Sequence, residues 1–185
     1  VLYLFAYELT RPLSEHPQLV QFIDGCSAKA HVMDNVWLLE RSDLPSNFQD
    51  DLRAMLDPKD RFYLVDVSRS VIGWSGLEEE VADFIGRFSE AVEQDVSRRL
   101  LVVAFDGASD LELQPLVRNL WQVETERTSE QLAAQLREGL GEDGRLLVAD
   151  VSLAPAAWLR AEADAVAAAV VYTRSEQGET QRQEF

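Results

Sequence analysis

Glu8 and Asp106 are the residues of this chain best placed to do chemistry. Each closes a short apolar run, Leu2-Tyr-Leu-Phe-Ala-Tyr-Glu8 and Leu100-Leu-Val-Val-Ala-Phe-Asp106. Two carboxylates, where a fold brings them together, supply the oxygen ligands that Mg²⁺ and Mn²⁺ prefer. The plainer reading is a pair of solvated acids at strand ends. Asp66 and Asp150 form a second pair, within Asp66-Val-Ser68 and Asp150-Val-Ser152. Strand alternation puts them on one face with Leu64 and Val148, so a covered face would demand a partner for each. Arg53 and Arg137, or Arg61 and Arg145, are the candidates. Because this Asp is present in both copies, a scaffold role is favoured over catalysis. The four tryptophans, Trp37, Trp74, Trp121 and Trp158, also pair up, which points to packing, with ligand stacking as the alternative. His16 and His31 are the only histidines, and no metal-spaced His/Cys cluster is visible in the sequence. A Gly-rich phosphate loop, a nucleophile elbow and a Cys-x-x-Cys motif are all missing. The lone cysteine, Cys26, reads as a small semi-buried residue and suits a reducing cytosol.

These pairs arise because the chain repeats itself. Asn35–Trp74 aligns with Asn119–Trp158 at an offset of 84 without a gap, and 11 of the 40 positions are identical. The first apolar runs match at an offset of 98. The second copy is therefore shorter by 98 − 84 = 14 residues between its first strand and its hairpin. That deletion covers most of a helix.

The elements that must position the candidates follow from periodicity. In the first copy, Leu2–Tyr7 is a buried strand ending at Glu8, and residues 16–23 are a helix entered near Pro17. Lys29–Met33 and Val36–Glu40 are strands joined by an Asp34-Asn35 turn, where Asx residues tolerate positive φ. Residues 45–56 are a helix with Phe48, Leu52, Met55 and Leu56 on its buried stripe. Asp57–Asp60 is a turn and Arg61–Val67 a fourth strand. The order β-α-β-β-α-β is the ferredoxin-like arrangement, an α+β fold. Leu77–Val96 has apolar residues at helical spacing and reads as a connecting helix. The second copy runs strand, hairpin, helix (129–140) and strand (145–151). Between residues 107 and 117, helix and loop both remain open. The organisation is unit 1 at 1–76, connecting helix at 77–98, shortened unit 2 at 99–158, an Ala-rich helix at 159–174 and a disordered tail at 175–185.

The net charge of −16 is spread along the chain: −4 over residues 1–74, −4 over 75–99, −6 over 100–158 and −2 over 159–185. Such a field repels phosphate backbones, which makes nucleic acid an unfavoured partner. It suits a protein partner with a basic surface, and solubility is the plain alternative. Glu78, Glu79, Glu80 and Asp83 are the densest acidic run and the candidate contact surface. No apolar run approaches the roughly 20 residues of a membrane span.

Several strings in the first copy resemble the SinR-like relatives of the CRISPR-associated protein Cas-two. They are Tyr7-Glu8-Leu9-Thr10-Arg11-Pro12, Asn35-Val-Trp37-Leu, Leu52…Leu56-Asp-x-x-Asp60-Arg61 and Gly73-Trp74. The resemblance covers about residues 2–76 and, more faintly, 100–158. It implies a small ferredoxin fold that works as a dimer, here replaced by an intramolecular pseudo-dimer. It also implies that an acid ending the first strand faces its twin across a two-fold, where the pair holds one divalent metal for phosphodiester hydrolysis. The matching residues are Glu8 and Asp106, and Glu8 departs from the usual Asp by one methylene. Family members also serve as non-catalytic adaptors.

The reading that follows is a cytoplasmic, prokaryotic tandem ferredoxin-like protein of Cas-two type that has drifted from enzyme to interaction module. It would need no cofactor. Two alternatives stand beside it: an Mg²⁺- or Mn²⁺-dependent endonuclease using Glu8 and Asp106, and an acidic nucleic-acid mimic.

Overall fold

The computed structural model describes residues 1–42, 51–92, 98–106, 113–141, 144–152 and 154, together with the backbone of 156–159. The chain is an α+β protein with two five-stranded antiparallel sheets. Its strands are β1 (Leu2–Glu8), β2 (Ala28–Met33), β3 (Val36–Glu40), β4 (Arg61–Asp66), β5 (Ile72–Ser75), β6 (Arg99–Phe105), β7 (Gln114–Val117), β8 (Leu120–Thr125), β9 (Leu146–Asp150) and β10 (Ala156–Leu159). The described α-helices with both ends defined are α1 (Pro17–Asp24), α2 (Glu79–Phe88) and α3 (Ser129–Arg137).

One sheet has the order β10-β4-β1-β3-β2, the other β5-β9-β6-β8-β7. Four strands of each come from one copy of the repeat. The fifth is exchanged: β5, ending the first copy, pairs with β9, and β10, ending the second, pairs with β4. The sequence predicts four-stranded sheets; the short strands that contain Trp74 and Trp158 add a fifth to each.

Strand alternation builds the layers. Leu2, Leu4 and Ala6 of β1 share one core with Leu100, Val102 and Ala104 of β6, so the two sheets pack inner face to inner face. Tyr3, Phe5 and Tyr7 point the other way, onto Leu19, Phe22 and Ile23 of α1 and onto Leu52. Leu101, Val103 and Phe105 likewise meet Leu132, Ala133 and Leu136 of α3. The result is helix, sheet, sheet, helix.

The local expectations fare differently. α1 begins with Pro17 in its first turn and ends at Gly25, where the sequence places its boundaries. α3 opens with a capping box, in which the Thr128 side chain accepts from Gln131 N–H and the Gln131 side chain accepts from Thr128 N–H. Residues 51–55 are helical, while Phe48 and the expected start of that helix lie outside the described residues. The connecting helix is shorter than expected. It stops at Phe88, because Ser89 turns extended and the Glu90 and Val92 amides donate to the Ser68 and Arg69 carbonyls. Of the two hairpin turns, Asn119 has positive φ (59°), whereas Asp34 and Asn35 do not. Residues 114–117 are strand, which decides that part of the segment left open between 107 and 117. Leu159, placed in a helix by its Ala-rich context, is strand, and the remainder of the 159–174 helix and the 175–185 tail lie outside the described residues. No described helix is long and apolar enough to cross a membrane.

Candidate functional site

The two candidate carboxylates lie at the C-terminal ends of β1 and β6, and each is held by an arginine at the N-terminal end of the neighbouring strand. Glu8 lies in register with Arg61, whose guanidinium meets Glu8 Oε2 at 2.5 Å. Asp106 follows β6, and Arg145 precedes β9; Arg145 donates from Nε (3.0 Å) and Nη2 (2.6 Å) to Asp106 Oδ2. These are charge-assisted bonds on half-buried groups.

Both pairs lie where the two copies meet. Glu8 Oε2 also accepts the backbone N–H of Arg118, in the β7–β8 turn of the other copy. Arg145 in turn donates to the Val32 carbonyl beside the β2–β3 turn and lies 3.9 Å from Asp34. Between these turns the repeat-equivalent Asn35 and Asn119 bond to each other, Asn119 Nδ2 donating to Asn35 Oδ1 at 3.1 Å. Asn35 Nδ2 donates to the carbonyls of Tyr7 and Arg118 at 2.5 and 2.6 Å. A cleft of about 290 Å³ opens beside Glu8, lined also by Arg61, Pro115, Arg118, Asn119 and Trp121.

Asp66 and Asp150 are structural, with partners other than those expected. Asp66 Oδ1 accepts the Ser68 amide, and Ser68 Oγ accepts the Leu2 amide. Asp150 Oδ1 accepts the Ser152 amide and hydroxyl, and Ser152 Oγ accepts the Leu100 amide. The repeated Asp-Val-Ser string thus satisfies an amide at the start of each central strand, Leu2 in β1 and Leu100 in β6. Asp150 is 2% exposed and carries a buried ion pair with Arg99 at 2.5 Å, in place of Arg137 or Arg145.

The tryptophans are less buried than their pairing suggests. Trp37 stacks on His31 and Trp121 on Phe105, both with ring centroids 4.4 Å apart, and both are half-buried. Trp74 is 44% exposed, so it is not a core residue. The Trp158 side chain lies outside the described residues. Burial pushes the Cys26 thiol pKa up despite nearby Arg41 and Lys29, leaving little of the reactive thiolate. Glu78, Glu79, Glu80 and Asp83 are all exposed, and none forms an ion pair among the described residues.

A polar cluster escaped the sequence reading. His16, Asp57 and Asp60 come together although the first lies 41 residues before the second. Asp60 is fully buried. Its Oδ1 accepts the Thr10 amide and hydroxyl at 2.8 and 2.9 Å, and its Oδ2 accepts the Asp57 amide at 2.8 Å. Burial alone would raise the Asp60 pKa, but the Thr10 and Asp57 hydrogen bonds and the neighbouring His16 bring it below the ordinary value. Asp57 is bound by Arg11 through two guanidinium nitrogens. The one sequence clue was the contrast between Asp57-Pro-Lys-Asp60 and Gly141-Glu-Asp-Gly144, acids in one copy and glycines in the other.

Comparison with family models, curated proteins and solved structures finds no match.

Proposed function

We propose that this chain is a tandem ferredoxin-like protein of the Cas-two type, a pseudo-dimer within one polypeptide, which works as a protein-binding adaptor rather than a nuclease. The strand order 4-1-3-2 within each copy, the reciprocal exchange of β5 and β10 and the Asn35–Asn119 contact support the pseudo-dimer. The observation that carries the adaptor reading is the state of the two carboxylates. Glu8 and Asp106 are each neutralised by an in-register arginine. A divalent cation would have to displace a guanidinium from both, at a junction already closed by hydrogen bonds between the turns. The partner is a protein with a basic surface, met by the exposed acids at the start of α2. The setting is a cytoplasmic prokaryotic defence or genome-maintenance assembly.

The endonuclease reading has one observation in its favour: both carboxylates sit at the junction of the copies, beside an open cleft. A single assay separates the two. Purified protein is incubated with RNA and with single- and double-stranded DNA in Mg²⁺ or Mn²⁺. No cleavage is the expected result, and cleavage lost in both Glu8→Gln and Asp106→Asn would establish the nuclease. Reversing Glu78, Glu79, Glu80 and Asp83 to Lys should then weaken partner capture without unfolding the chain. Undiminished capture would place the contact elsewhere.

A further inference from the structure

We propose that His16, Asp57 and Asp60 form a binding site for one first-row transition-metal dication, with zinc held more tightly than manganese. The three residues offer ligand atoms that all lie within 4.8 Å of one another. The decisive group is the imidazole. His16 is 3% exposed, and its Nε2 has no hydrogen-bond partner. Its Nδ1 faces Asp60 Oδ2 across 3.9 Å, too far for a hydrogen bond. Nδ1 is the nitrogen that faces the carboxylates, and a metal there would give it the partner that Asp60 is too distant to be. Metal bonds of about 2.0–2.2 Å to nitrogen and oxygen span a gap of this size when the two ligands stand well apart around the ion.

The donor set selects the metal. One imidazole with two carboxylates suits zinc or manganese, with zinc the tighter. Mg²⁺ and Ca²⁺ take oxygen ligands and gain nothing from the ring. The surroundings resemble a built shell: the Thr10 amide and hydroxyl and the Asp57 amide fix the Asp60 carboxylate. Asp57 is 41% exposed on its side chain and gives the ion a way in. Arg11, paired with Asp57 from the solvent side, is the competitor with which an ion must share that carboxylate. The second copy has Gly141 and Gly144 in place of the two acids, so this site has no twin in the repeat. A bound ion would tie the β1–α1 connection to the turn before β4. The site is separate from the Glu8 and Asp106 pairs and stands whether or not the adaptor reading does.

The test uses the full chain stripped with a chelator and titrated calorimetrically with Zn²⁺, Mn²⁺ or Mg²⁺, with thermal unfolding in parallel. The expected result is one Zn²⁺ per chain with a raised melting temperature, Mn²⁺ at least about tenfold weaker, and no Mg²⁺ binding. Co²⁺ should give visible bands that His16→Gln abolishes. Asp57→Asn keeps the backbone bonds of its turn and should weaken Zn²⁺ at least about tenfold while still folding; it decides the matter if His16→Gln does not fold. No stoichiometric Zn²⁺ binding, or binding undiminished in Asp57→Asn, overturns the proposal.

Discussion

Gly76→Ala should destabilise this protein more than its position suggests, and the reason is the exchange of β5. Gly76 follows β5 directly and has φ +67°, in the left-handed region. Forcing an alanine there costs about 1–2 kcal/mol. A Cβ would also stand 2.2 Å from the Gly144 carbonyl oxygen and 3.1 Å from its carbon. That neighbour is backbone and belongs to the other copy of the repeat, so relief requires shifting β5 or the approach to β9. Such overpacking costs about 1–3 kcal/mol. Together these give about 2–5 kcal/mol. At about 2–4 °C per kcal/mol for a chain of this size, the melting temperature should fall by roughly 4–20 °C. The control is Gly86→Ala on α2, where a Cβ meets nothing within 4 Å. Removing a helix-interior glycine should stabilise by up to about 1 kcal/mol. Circular dichroism during heating and urea unfolding reads both. If Gly76→Ala melts with the native protein, Gly76 does not pack against Gly144, and the placement of β5 beside β9 is wrong.

Asp150→Asn should cost about 3–5 kcal/mol in urea unfolding, because it removes the charged partner from a buried ion pair with Arg99. Asn35→Ala should cost about 2–3 kcal/mol, since it strands the Tyr7 and Arg118 carbonyls and the Asn119 amide together, whereas Asn119→Ala removes fewer bonds and should cost less. Asp60 has a folded-state pKa below its unfolded one, so it binds protons more readily unfolded. Its stabilisation is complete above the ordinary aspartate value and is lost as pH falls through the lower folded value. Acid titration of stability should show this loss in the native protein, and Asp60→Asn should remove that component.

Much of the local structure was written in residue order. Pro17 and Gly25 bound α1, the continuous apolar runs Leu2–Tyr7 and Leu100–Phe105 specify central strands buried on both faces, and the identical Asp-Val-Ser strings mark one structural device used twice. Glu8 and Asp106 are singled out by the family resemblance, and the matching first strands of the two copies give each a twin. Their neutralisation by Arg61 and Arg145 was not legible, because ion pairing between strands depends on register and the sequence does not print register. The length of α2 is not legible for a similar reason. Leu77, Val81, Phe84, Ile85, Phe88 and Val92 keep helical spacing, yet the amides of Glu90 and Val92 are captured by carbonyls 22 and 23 residues earlier (90 − 68 and 92 − 69).

By itself, the sequence determined what nearest neighbours control: four strands of each sheet, the helices α1 and α3, the duplication and the spread of negative charge. Tertiary structure alone decided which copy each closing strand joins. The two copies present similar strand edges to β5 and β10, so backbone pairing by itself barely distinguishes them. Side-chain fit does distinguish them. A Cβ on Gly73 would stand 2.9 Å from the Ser129 carbonyl oxygen, so its absence lets β5 lie close beneath α3 of the other copy. The equivalent residue of β10 is Ala157, which has a Cβ. His16 joined Asp57 and Asp60 for the same kind of reason, since groups far apart in sequence meet only after the β1–α1 connection has packed against the turn before β4.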